Sequence, residues 1–166
     1  MSGSTRHQAA IIAQVLLLAY FELCVFVPMG RWNAHQVTTL TLSDANISEV
    51  SRVAAVLLGV VMGGAQVVLL VGTIRGVKPL LWVGLVGDTL WLFPHTLNLW
   101  VPYVSGASPN YVDLHFRVYG TSPTNLLPSI GVHLAPDGMH TVFDVLALAV
   151  IVTLVRYLRS PRPQRS

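Results

Sequence analysis

Charge is scarce in this sequence. Lysine and arginine number 10 and aspartate and glutamate 7 among 166 residues, so 10% are charged, against about 25% in ordinary soluble domains. With 53% hydrophobic residues and a mean hydropathy of +0.62, the chain falls in the membrane class. Cysteine is scarcer still, since Cys24 stands alone. One thiol makes neither an internal disulfide nor a dithiol redox centre. In its apolar run it reads as a small core residue. A phosphate-binding glycine loop, a nucleophile elbow and Glu-x-x-His pairs are also missing. Nucleotide binding, serine-nucleophile hydrolysis and carboxylate-bridged di-iron chemistry therefore have no support. The net charge of +3 and pI of about 9.4 would point a soluble protein toward nucleic acid. Here the basic residues sort by topology instead, and no nucleic-acid partner is expected.

What is present is four apolar stretches, at about 8–28, 53–74, 79–103 and 137–158. A helix crosses the hydrocarbon core with about 20 residues. The expected fold is all-α: a polytopic, four-helix transmembrane bundle with two longer extracytoplasmic loops. It forms one domain over 1–160, followed by a basic cytoplasmic tail over 161–166. The first stretch competes with a signal peptide, but Glu22 interrupts it and no small-residue cleavage site follows. The second carries no charge. Asn46 and Glu49 form a near capping box before it, and Gly59 and Gly63 form a small-xxx-small pair. In the third, Pro79 suits the first turn, while Pro94 removes the bond to the Leu90 carbonyl and kinks the helix. Trp82, Trp100 and Tyr103 lie near its ends, as in an aromatic belt. Asp137 caps the fourth, and Arg156 and Arg159 close it. Of the two long connections, Met29–Arg52 contains HQVTTLTL, which reads as a short strand, and Asn46-Ile47-Ser48, a glycosylation acceptor. Val104–Pro136 is too long for a structureless loop and reads as a lid.

Orientation follows from the basic residues. Arg6, Arg75, Lys78, Arg156, Arg159, Arg162 and Arg165 fall on one side of four spans, and Arg31, Arg52 and Arg117 on the other. The positive-inside rule places both termini in the cytoplasm.

Three spans carry a carboxylate: Glu22, Asp88 and Asp144. A charge at the bilayer centre costs about 2.5–3.5 kcal/mol on insertion scales, so such residues face the protein interior and mark candidate sites. Counted at 1.5 Å per residue, Glu22, His95 and Asp144 share a level in the outer half. Asp88, Trp91 (or Leu92), His95 and Asn98 recur at i, i+3 (or i+4), i+7 and i+10 and share a face. His140 and Asp144 are one turn apart; Gln14 and Glu22 share a face of the first helix; Gln66 is the main polar group of the second. The stripes converge on one axis in a compact bundle. Pairing that merely glues the bundle competes with a functional pocket for every one of these residues.

Acid–base chemistry needs a proton donor and an acceptor. Glu22, Asp88, His95, His140 and Asp144 are the candidate catalytic residues; Gln66, Trp91, Asn98 and Trp100 are the candidate substrate contacts. A carboxyl held neutral protonates an alkene or epoxide, and an indole stabilises the resulting cation. The expected function is a cofactor-free isomerase or cyclase acting on a lipophilic substrate within the bilayer, with no metal and no cofactor. Haem would need histidines at matching depth, and His95 and His140 differ by about 7–8 Å in this placement. A small proton-coupled transporter or channel, oligomeric through Gly59 and Gly63, is the second reading. A non-catalytic accessory or assembly protein is the third.

Overall fold

The computed structural model describes residues 3–27, 29, 32, 49–110, 112, 126–128, 130 and 135–159, with the backbone alone at 49–59, 95 and 98. The regular elements among these residues are all helical. α1 is Gly3–Phe26, α2 Glu49–Arg75 and α3 Lys78–His95. A π-helical segment, Thr96–Trp100, links α3 to the short α4, Val101–Ser105. α5 is Gly138–Leu158. The HQVTTLTL segment, the Asn46 cap, the lid over most of 104–136 and the tail lie outside the described residues.

Two of the helices, α1 and α5, are long and apolar enough to cross a membrane. At 1.5 Å per residue, their 24 and 21 residues reach about 36 and 32 Å, against about 30 Å of hydrocarbon. α1 packs on α2 and α5, and α3 packs on α2 and α5. The periodicity explains these contacts. Ala10, Ala13 and Leu17 of α1, Leu69 of α2, Leu81 and Leu85 of α3, and Ala147, Val150 and Leu154 of α5 form one buried cluster. Each set recurs at three- or four-residue steps, which places it on one face of its helix. The opposite faces are apolar too: Val61, Val83 and Leu90 are 63–70% exposed. An apolar exterior of this extent is foreign to a soluble monomer.

The turn between α2 and α3 is built by Gly76, whose φ of 67° lies in the left-handed region. Its N–H donates to the Thr73 carbonyl (3.1 Å), and that of Val77 donates to the Gly72 carbonyl (2.8 Å). This is the Schellman arrangement, in which glycine ends a helix without steric cost. Pro79 follows in the first turn of α3, where the missing N–H loses nothing. The third apolar stretch stays helical from Lys78 to Ser105 but changes its winding after Pro94. The helix carries Pro94 inside it and passes into π geometry at Thr96. Asp137 caps α5, accepting from the His140 N–H at 2.8 Å.

Two polar clasps fasten the helices. Toward the N-terminal end of α1, Gln14 Nε2 donates to Thr73 Oγ1 at 2.8 Å, and both residues are fully buried. His7 Nε2 meets the Thr73 carbonyl at 2.9 Å, and its ring stacks on Tyr157 of α5. Toward the other end, Tyr20 donates to the Met139 carbonyl at 3.0 Å and accepts from Trp32 Nε1 at 2.9 Å.

Candidate functional site

Asp88 occupies the inward stripe of α3. Leu81, Leu85 and Asp88 follow at i, i+4, i+7 and are 0, 8 and 5% exposed. A carboxylate therefore stands where periodicity calls for an apolar side chain. Gln66 stands likewise on α2, three residues before Leu69 and seven before Thr73, all of them buried. Packing α2 against α3 brings these two together: Gln66 Nε2 donates to Asp88 Oδ1. Asp88 Oδ2 and Gln66 Oε1 are sealed from solvent and have no hydrogen-bond partner among the described residues. Unsatisfied buried acceptors are rare and call for an explanation. Leaving one costs about 1–3 kcal/mol.

Gln66 and Asp88 line a groove of about 580 Å3 between α2 and α3. Its walls are otherwise apolar and include Val61, Val68, Leu80, Val83 and Leu90, with Trp91 one turn beyond Asp88. Gly64 and Gly87 also line it, and a Cβ at either would meet no atom within 4 Å. Their missing side chains are what keep the groove open. Pockets of 300–1,000 Å3 with apolar walls and few polar groups are the usual ligand sites.

The other two acids of the apolar helices have separate seats. Glu22 of α1 is half-buried, its carboxylate pressed against Gly63 of α2 so closely that a Cβ there would overlap Oε1. At Gly63, the small-residue face that the sequence offers to a second copy is therefore occupied by α1 of the same chain. Asp144 of α5 is buried and accepts from Trp100 Nε1 at 2.7 Å. Gly63 and Gln66 are three residues apart, so the seats of Glu22 and Asp88 lie within about 4.5 Å of one level along α2. An aromatic layer marks that level. Phe143, next to Asp144, lies 6.1 Å from the ring of Phe21, next to Glu22, and 6.5 Å from Trp91. The acids thus lie around one aromatic layer, Asp88 bonded to Gln66, Asp144 to Trp100, and Glu22 packed on Gly63.

His140 sits beside the cap of α5. Its Nδ1 pairs with Asp137 Oδ2 at 2.6 Å, at the first turn of α5. Helical side chains lean toward the N-terminus, so a first-turn histidine reaches the capping residue. The side chains of His95 and Asn98 lie outside the described residues. Among the described residues, no group of three or more His, Cys, Asp or Glu side chains could hold a metal ion. Gly64, Gly87 and the groove itself were missed from sequence, although Gly84, Gly87 and Asp88 recur at helical steps on one helix face and signal a shallow face. Set against protein-family models, curated proteins and solved structures, the chain matches none.

Proposed function

We propose that the chain is a multi-pass membrane protein whose four long helices form a transmembrane bundle with both termini in the cytoplasm. We further propose that it performs cofactor-free acid–base chemistry, of isomerase or cyclase type, on a lipophilic molecule held between α2 and α3. The observation that carries this reading is the Oδ2 of Asp88, unpartnered among the described residues, beside an apolar groove. The broad apolar exterior supports the membrane setting.

In this reading Asp88 reacts as its carboxylic acid. Gln66 engages Oδ1 and leaves Oδ2 for the substrate. The acid proton passes to one carbon of a double bond, whose π electrons form the new C–H bond and leave a carbocation on the other carbon. Trp91, half-buried in the groove wall, offers its ring face to that cation. The Asp88 carboxylate then removes a proton from a neighbouring carbon, the C–H pair forms the shifted double bond, and the acid is restored. One carboxyl group suffices, and no co-reactant is consumed. Because Asp88 is only 5% exposed, the groove floor has to open by a side-chain rotation, a fast event on the scale of turnover. Glu22 and Asp144 support the bundle around the aromatic layer, and His140 with Asp137 fixes the start of α5.

The test is a comparison of lipid extracts from cells with and without the gene by chromatography and mass spectrometry. An acid–base isomerase produces a pair of species of equal mass and different retention, interconverted only when the gene is present. If purified protein in vesicles instead gives a pH-gradient-driven flux and no such pair, the protein is a transporter.

A further inference from the structure

The groove has one charged end. Val61, Ala65, Val68, Gly72 and Arg75 of α2 recur at four- and three-residue steps and so share a face. The first three line the groove, and Gly72 lies against Leu80, which lines it too. The same stripe ends in the exposed Arg75. The exposed Lys78 follows across the Gly76 turn. Neither has an ion-pair or hydrogen-bond partner among the described residues. No lysine or arginine lines the groove itself. Its length from the level of Leu80 to that of Trp91 is about 16 Å.

We propose that the groove holds one hydrocarbon chain of an anionic membrane lipid, with the headgroup resting on Arg75 and Lys78 at the cytoplasmic surface. This deepens the acid–base reading and rests on it for the consequence that the lipid is a substrate. The charges say which lipid: basic side chains at a membrane surface favour anionic headgroups. The spacing says where the chain reacts. Gln66, which holds Asp88, lies nine residues from Arg75 along α2, about 14 Å. An extended chain advances about 1.2 Å per bond, one third of its advance per peptide residue. The atoms beside Asp88 are therefore about twelve bonds from the headgroup. The substrate class is an amphiphile with an anionic head and an unsaturated chain whose double bond lies at that distance.

The test uses two photoactivatable lipids with the same mid-chain diazirine, a phosphatidylglycerol and a phosphatidylcholine, in vesicles containing the purified protein. Labelling of the segment 83–91 should favour phosphatidylglycerol by about thirtyfold, the order expected of two basic groups at a surface. R75Q/K78Q should abolish that preference. G87L should abolish labelling by both lipids, and G64L should do the same, since both side chains grow into open groove rather than into protein. D88N should leave labelling intact while removing any turnover, which separates lipid binding from the acid–base reading. Equal labelling by the two lipids, a preference that survives R75Q/K78Q, or labelling that survives both G87L and G64L overturns the proposal.

Discussion

Gly84 and Gly87 lie three residues apart on α3 and should respond oppositely to alanine. A Cβ at Gly84 would lie 2.7 Å from both Cγ and Cδ2 of Leu69, which is 2% exposed and belongs to the core. The overlap reaches Cγ and not only the methyls, so Leu69 cannot clear it by turning its tip, and G84A overpacks the α2–α3 contact, at a cost of about 1–3 kcal/mol. A Cβ at Gly87 would meet nothing within 4 Å. Both substitutions gain the same helix-propensity term, roughly 0.5–1 kcal/mol for glycine to alanine. That term cancels in the comparison. G87A is therefore expected to be slightly more stable than the wild type, and G84A less stable than G87A by about 1–3 kcal/mol. Thermal unfolding of the purified variants in one detergent reads the difference directly. If G84A melts at or above G87A, α2 and α3 do not pack as described and the groove between them has the wrong shape.

Other expectations follow from the polar contacts. Q66L strips Asp88 of its only hydrogen bond among the described residues and should destabilise by about 1–3 kcal/mol; Q66L/D88L should recover much of the loss, a coupling that a double-mutant cycle in equilibrium unfolding measures. Q14L or T73V breaks the clasp between α1 and α2 and should cost about 0.5–1.5 kcal/mol, the usual net worth of one hydrogen bond; the same unfolding assay applies. D137A removes both the cap of α5 and the carboxylate partner of His140 and should cost about 1–2 kcal/mol. Its mark should be faster amide exchange confined to residues 138–142.

The apolar stripes were legible in the sequence because burial in a helix repeats every three or four residues, and the sets in α1, α2, α3 and α5 break that rule at only a few polar positions. Those exceptions, Gln14, Gln66, Asp88 and Asp144, were legible for the same reason, and all four are buried. The Asp137 cap was legible because the start of a helix has a local chemistry. Which polar groups meet was not. Gln66 and Asp88 are 22 residues apart, and their meeting depends on how two helices rotate against each other. Trp100 reaches Asp144 from the last position of a π-helical segment. There the hydrogen bonds run to i+5, so a stripe counted in α-helical steps loses its phase after His95. The Gly76 turn was overlooked although a glycine three residues before a proline is its signal. The groove is the hardest to read, because it is made by side chains that are absent.

The most direct test of the central claim is D88N. The variant should be compared with the wild type at matched folded yield, by lipid-extract chromatography of cells expressing each. The account predicts that the equal-mass product made by the wild type disappears with D88N while folded protein remains. A product that persists with D88N contradicts the assignment of the proton to Asp88, and a loss of folded protein in step with product reduces this residue to a structural support.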